Sequence, residues 1–156
     1  MEITIKPAFR KRKAIQELLV EYTSMVVAED PRYKDFLALQ RFDSEVAHPE
    51  KKYCRLYLVE ADGTPAGCIA MQKLDESRCE MKRLYIRPAF RGKGIARRLV
   101  EMLLADARKD GYEAMVLDTF PFLDVAIRMY ERLGFYYIPK YNDSPMPSTL
   151  FMQLDL

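Results

Sequence analysis

Arg91-Gly92-Lys93-Gly94-Ile95-Ala96 separates a β-like run from an amphipathic helical pattern, and the reading of these six residues decides the fold. Two glycines let backbone N–H groups come close to a ligand, and the following helix presents the positive end of its dipole. Arg91 and Lys93 add cationic donors. The string therefore reads as a cradle for a pyrophosphate.

The flanks place the cradle. Before it runs Cys79-Glu80-Met81-Lys82-Arg83-Leu84-Tyr85-Ile86, a stretch of high β-propensity closed by Arg87-Pro88, where proline discourages further pairing. After it, Ile95, Leu99, Met102 and Leu103 follow helical spacing, Arg97 and Glu101 lie on the exposed side, and Gly111 supplies a stop. The order is strand, anion loop, helix. A Walker A loop fails here, because Gly92-Lys93 is followed by Gly94 and Arg87 stands where the earlier glycine belongs. A dinucleotide fingerprint fails too, since it requires three glycines near the start of a βαβ unit and a later acidic residue.

The string does fit the pattern Arg/Gln-x-x-Gly-x-Gly/Ala, and in this it resembles the acetyl-CoA loop of the GNAT superfamily of N-acetyltransferases. The resemblance runs from about Glu80 to Phe135 and takes in Leu84-Tyr85-Ile86-Arg87-Pro88 before the loop. It also takes in Ala126-Ile127-Arg128-Met129-Tyr130-Glu131-Arg132-Leu133-Gly134-Phe135 after it. Two separated motifs in the right order are more specific than one.

The resemblance implies acetyl-CoA as co-substrate, with no metal, and transfer of its acetyl group to a primary amine by direct attack in a ternary complex. It implies that amides of Arg91, Gly92, Lys93, Gly94, Ile95 and Ala96 hold the pyrophosphate, and that backbone N–H groups near Leu84, Tyr85 and Ile86 polarise the thioester carbonyl. Arg87, Arg97 and Arg98 are expected within reach of the 3′-phosphate. Glu80 falls where many members place a catalytic glutamate, acting directly or through a water; pairing with Lys82 along one strand face is the other reading of the same residue. Tyr130 falls on the tyrosine whose hydroxyl lies beside the CoA sulfur, and a phenol can protonate a departing thiolate while staying neutral at pH 7. An aromatic packed under the sheet is its alternative role. One departure stands out: where many relatives carry an asparagine that touches the cofactor, this chain has Leu123, with Asp124 or Thr119 as substitutes.

Length and composition agree with one enzyme-sized domain over residues 1–156. A chain of this size buries about 70% of its unfolded surface, enough for a core without metal or disulfide support. With 25 basic and 23 acidic residues, a net charge of +2 offers no general attraction to nucleic acid. Cys54, Cys68 and Cys79 lie in apolar segments with no metal-binding spacing, which points to buried reduced thiols in a cytoplasmic protein. No run approaches membrane-spanning length.

Elsewhere, Glu2 to Lys6 suits a first strand, and Ala14, Ile15, Leu18, Leu19 and Tyr22 a helix ending before Asp30-Pro31. A shorter helix is expected over Tyr33 to Arg41, then a polar stretch through Lys52. Arg55–Val59 and Ala66–Met71 flank the hairpin signal Asp62-Gly63, and Asp75-Glu76-Ser77 turns into the strand ending at Ile86. A strand over Ala114 to Asp118, a helix from about Phe122 to Leu133, and a last strand with alternating Leu150, Met152, Leu154 and Leu156 complete the chain. The pattern gives a single α/β domain with a mixed, mostly antiparallel sheet flanked by helices. In the GNAT fold it resembles, strands 4 and 5 splay apart and the thioester enters between them.

For the acceptor, a small amine or amino-acid-like molecule is expected, chosen by the first helices and by the tyrosine- and proline-rich tail from Tyr136 to Pro147. Acidic Glu29, Asp30, Asp35, Asp43 and Glu45 either attract a cationic amine or form a wet face. Acetylation of a protein amine and a non-catalytic acyl-CoA-binding regulatory module are the competing readings. Monomer and homodimer are both open.

Overall fold

The computed structural model describes residues 1–156. In chain order the elements are β1 (Ile3–Pro7), α1 (Arg12–Glu29), α2 (Tyr33–Leu39), α3 (Phe42–Ala47), α4 (Pro49–Lys52), β2 (Arg55–Ala61) and β3 (Thr64–Lys73). They continue with β4 (Arg78–Ile86), α5 (Ile95–Lys109), β5 (Ala114–Thr119), α6 (Asp124–Leu133), β6 (Tyr136–Tyr137) and β7 (Leu150–Asp155). Asp62 and Gly63 both take positive φ, 50° and 81°, the turn whose twist matches the strands it joins, so β2 folds back on β3 as the sequence predicts.

All the strands join one sheet in the order β1-β2-β3-β4-β5-β7-β6. Every neighbouring pair is antiparallel except β4 and β5, whose parallel pairing requires a crossover; α5 supplies it. Leu99, Leu103 and Ala107 recur every four residues along α5 and are fully buried with Met71, Met115 and Met152 of the sheet. Removing each such leucine side chain from water is worth about 1.5–3 kcal/mol. On the opposite face Ile15, Leu18 and Leu19 of α1 pack against Leu56, Leu58, Cys68 and Ala70. The mixed sheet flanked by helices is thus as the sequence pattern indicates.

The parallel ladder is short. Only Arg78, Cys79 and Glu80 of β4 pair with β5, opposite Ala114, Met115 and Val116. Beyond that point β4 bulges: Ala70 of β3 lies opposite Lys82 and Cys68 opposite Tyr85, leaving one extra residue on β4. Arg83 sits in the bulge with φ 59°, a left-handed conformation that costs a non-glycine residue about 1–2 kcal/mol. A bulge bends its strand and increases local twist. Here it carries β4 away from β5, and the expected gap between strands 4 and 5 opens.

What holds Arg83 in that conformation is its side chain, which is almost wholly buried. Its guanidinium donates to both carboxylate oxygens of Glu45 (2.8 and 2.9 Å), to Tyr33 Oη (2.8 Å) and to Gln40 Oε1 (3.0 Å). Lys52 adds a second cation on Glu45 at 2.8 Å. Glu45 is therefore an internal counter-ion and neither a wet surface residue nor a steering charge. This ion pair also explains why the segment after Leu39 departs from expectation. Arg41 takes φ 55°, ending α2 early, and the supposedly polar stretch forms α3 and α4 to carry Glu45 inward. Two smaller differences concern Cys54, which is exposed while Cys68 and Cys79 are buried, and α6, which begins at Asp124, two residues later than expected.

Removing one partner of a buried pair strands the other charge. Glu45→Gln is expected to lower unfolding stability by about 3–5 kcal/mol in urea titration, with Glu45→Ala at least as damaging. Burial by itself would raise the Glu45 pKa, but the Arg83 hydrogen bonds and charge, with Lys52, hold it at about 2. A depressed carboxyl stabilises the fold fully above its ordinary value of 4.5 and progressively less as pH falls toward about 2. Wild-type stability should fall across that window, and more steeply than that of Glu45→Gln.

Candidate active site

A cavity of about 660 Å³ starts at the glycine loop, passes through the gap between β4 and β5, and ends under α1 and α2. Gly92, Gly94, Ile95, Ala96 and Arg97 line one end. Met81, Leu84, Tyr85, Ile86, Leu117 and Tyr130 line the middle, and Tyr22, Met25, Tyr33, Lys82 and Phe120 the far end. Because residues from both faces of the sheet share the wall, the space runs through the sheet.

At the loop, Gly92 and Gly94 take φ of 77° and 75°, conformations in which L side chains are strained. A Cβ at either would meet nothing within 4 Å, so what the glycines leave clear is open space. No side chain caps α5, so the amides of its first turn face that space without a protein partner. Arg91 is pinned: its Nε donates to the Ile86 carbonyl at 2.8 Å and its guanidinium lies 5.9 Å from the centre of the Tyr85 ring. Lys93 is exposed at the loop tip and forms no part of the cavity wall. Arg97 lines the cavity, whereas Arg87 lies outside its wall, held by Glu21 at 2.5 and 3.0 Å and by the Pro65 carbonyl at 2.9 Å.

In the middle, β4 from Met81 to Ile86 has no strand partner on the β5 side. Alternate backbone N–H groups of Leu84–Ile86 therefore face the gap. Tyr130 belongs to the core under α5 and α6, ring to ring with Phe135 at 5.7 Å, and also borders the cavity. Its hydroxyl makes no hydrogen bond within the protein, yet Tyr53 alone carries a buried unpartnered oxygen; the Tyr130 oxygen thus retains accessible surface. Burial pushes this phenol well above its ordinary value, with the Asp118 charge adding to the rise, so it stays protonated through the physiological range.

Glu80 sits at the last paired register of β4, buried, and outside the cavity wall. Gln72 Nε2 donates to one carboxylate oxygen at 2.6 Å and the Tyr141 hydroxyl to the other. It does not pair with Lys82. The carboxylate that does border the cavity is Asp118: its Oδ2 accepts from Asn142 Nδ2 at 2.8 Å, and its Oδ1 lies 3.9 Å from Lys82 Nζ. Leu123, Asp124 and Thr119 all reach the wall. The tail braces the far end from behind: Met146 packs with Val26, Tyr33, Phe36 and Phe120, and Tyr141 and Asn142 latch onto β4 and β5.

Sequence reading named Lys82 only as a partner for Glu80 and Asp118 only as a strand end, and so missed both as residues of the cavity wall. A lysine two residues from Glu80 in a strand and an aspartate ending another carry no local mark of a shared cavity.

A family model described as acetyltransferase (GNAT) family matches residues 12–135. This chain belongs to the GNAT acetyltransferase family. Within GNAT proteins, an N-acetyltransferase of Schizosaccharomyces pombe is 38% identical over 126 residues, covering 77% of this chain and 77% of its own length. Among solved structures, the PaiA N-acetyltransferase of Thermoplasma acidophilum in complex with coenzyme A superposes with a TM-score of 0.76 at 18% identity, covering 100% of both chains. YncA of Salmonella typhimurium with acetyl-CoA gives 0.68 at 23% identity, over 98% of this chain and 93% of that one. These two share the fold. Membership of the family makes the chain an N-acetyltransferase, and no helix in it is long and apolar enough to cross a membrane.

Proposed function

We propose that this GNAT protein moves the acetyl group of acetyl-CoA to a small primary amine by direct attack in a ternary complex. The observation that carries the reading is the continuity of one cavity from uncapped helix amides, through the splayed strands, past a phenol with no protein partner. Acetyl-CoA supplies the activated acetyl group as a thioester. The amides of residues 91–96, with Arg97 nearby, hold the pyrophosphate end, and their dipole favours its negative charge. Those amides of Leu84–Ile86 that face the gap donate to the thioester carbonyl oxygen, where charge develops on attack. Tyr130 donates its phenolic proton to the departing sulfur; its high pKa keeps that proton available.

The attacking amine must first lose a proton. Glu80 takes it through a water, because it stands behind the cavity wall; each of its oxygens accepts one protein hydrogen bond and keeps a second lone pair for that water. Asp118 is the second reading for the base, favoured by its place on the wall and by an Oδ1 that accepts no hydrogen bond. The Tyr33 ring on the far wall, with Phe36 and the tail's Met146 packed around it, supports a small acceptor over a protein amine.

Three measurements test this. Mixed with acetyl-CoA and pooled primary amines, the protein should release free thiol; tight CoA binding with no release from a broad acceptor panel would assign it instead to a non-catalytic acyl-CoA-binding role. Tyr130→Phe should lower kcat by about 10²- to 10⁴-fold while leaving CoA affinity by calorimetry nearly unchanged, and Glu80→Gln against Asp118→Asn should show a loss of that size in whichever variant lacks the base. Gly94→Glu, which sets a carboxylate among the cradle amides and strains φ 75°, should abolish CoA binding yet cost only about 1–2 kcal/mol of stability.

A further inference from the structure

Lys82 is 4% exposed, lines the far end of the cavity, and donates no hydrogen bond to any protein atom. Its nearest acid, Asp118, lies at 3.9 Å, beyond hydrogen-bond range. The adjacent cation is the opposite case. Arg83, brought to the same face by the bulge, spends its guanidinium on Glu45, Tyr33 and Gln40. A buried ammonium with three unused donors is costly to maintain unless something of opposite charge completes it. Burial opposes the charge on Lys82, but Asp118 and Glu80 outweigh it and the group stays cationic.

We propose that Lys82 binds the carboxylate of the acceptor, and that the acceptor is an α-amino acid or a related amino-carboxylate with a compact apolar body. This rests on the acetyl-transfer reading above and names its substrate class. The pyrophosphate belongs to the other end of the cavity and the thioester is uncharged, so neither supplies the anion that Lys82 lacks. Asp118 Oδ1, beside Lys82, meets the acceptor ammonium before it is deprotonated; the two side chains present opposite charges in the arrangement that a zwitterionic amino acid mirrors. A polyamine would bring a second cation against Lys82. Tyr22, Met25, Tyr33 and Phe120 offer an apolar surface to the rest of the molecule.

The test uses leucine, methionine and phenylalanine, their methyl esters, and the matching amines without a carboxyl group, with thiol release as readout. Wild type should favour each amino acid over its ester by at least about tenfold in kcat/KM, chiefly through KM, although the ester is the better nucleophile at neutral pH. In Lys82→Met that ratio should fall to about one, and Lys82→Arg should restore part of it; a ratio measured within one variant is insensitive to general damage. Equal use of acid and ester by wild type, or an unchanged ratio in Lys82→Met, overturns the proposal. Calorimetric binding of N-acetylleucine and its methyl ester to the CoA-saturated protein reads the same preference without turnover. Should N-acetylleucine bind through Lys82 while no amine releases thiol, the carboxylate site stands and the acetyl-transfer reading falls.

Discussion

The Arg83–Glu45 ion pair holds a strained residue in the middle of a strand, and the cavity depends on that strain. Left to its pairing preferences, β4 would continue alongside β5 beyond Glu80, and parallel strands joined by a helix normally stay zipped. The bulge prevents this by placing one extra residue against β3 and bending the strand away. Its left-handed backbone is unfavourable by about 1–2 kcal/mol, an amount that four hydrogen bonds from one buried guanidinium can offset. The same guanidinium also holds Tyr33 of α2, a residue of the cavity's far wall, through a 2.8 Å hydrogen bond. One electrostatic contact therefore shapes both the opening in the sheet and its wall.

Hydrogen-bond satisfaction divides the polar groups around the cavity into two sets. Arg83 and Arg87 are charged and sit near the site, yet each is engaged by protein partners. The Tyr130 hydroxyl, the Lys82 ammonium, one oxygen of Asp118 and the first amides of α5 are not. All four border the same space. Buried polar groups are normally paired, so a set of unpaired ones converging on one cavity marks where a ligand supplies the missing partners. It also orders the cavity by charge: uncapped helix amides at the mouth, neutral donors at the centre, and a cation beside an anion at the far end.

Much of this was legible in short stretches of sequence. The glycines of residues 91–96, the four-residue spacing of Leu99 and Leu103, the Asp62-Gly63 turn and the Tyr130 helix each act over a few residues, where backbone sterics and side-chain periodicity decide the outcome. They were enough to place the cradle, the mixed sheet and the family. One reading failed because the competing force was remote: the pattern around Glu45 suits a solvated acid, and Arg83, 38 residues away, draws it inside.

The sequence by itself determined the order of strand, glycine loop and helix, and with it the superfamily. Only the tertiary structure decided which polar side chains are spent and which remain free. Glu45 reaches Arg83 across 38 residues, Asn142 reaches Asp118 across 24 and Tyr141 reaches Glu80 across 61. No local pattern encodes such partnerships, because they arise when packing brings distant segments together in a medium of low dielectric, where an unpaired charge cannot be left without consequence.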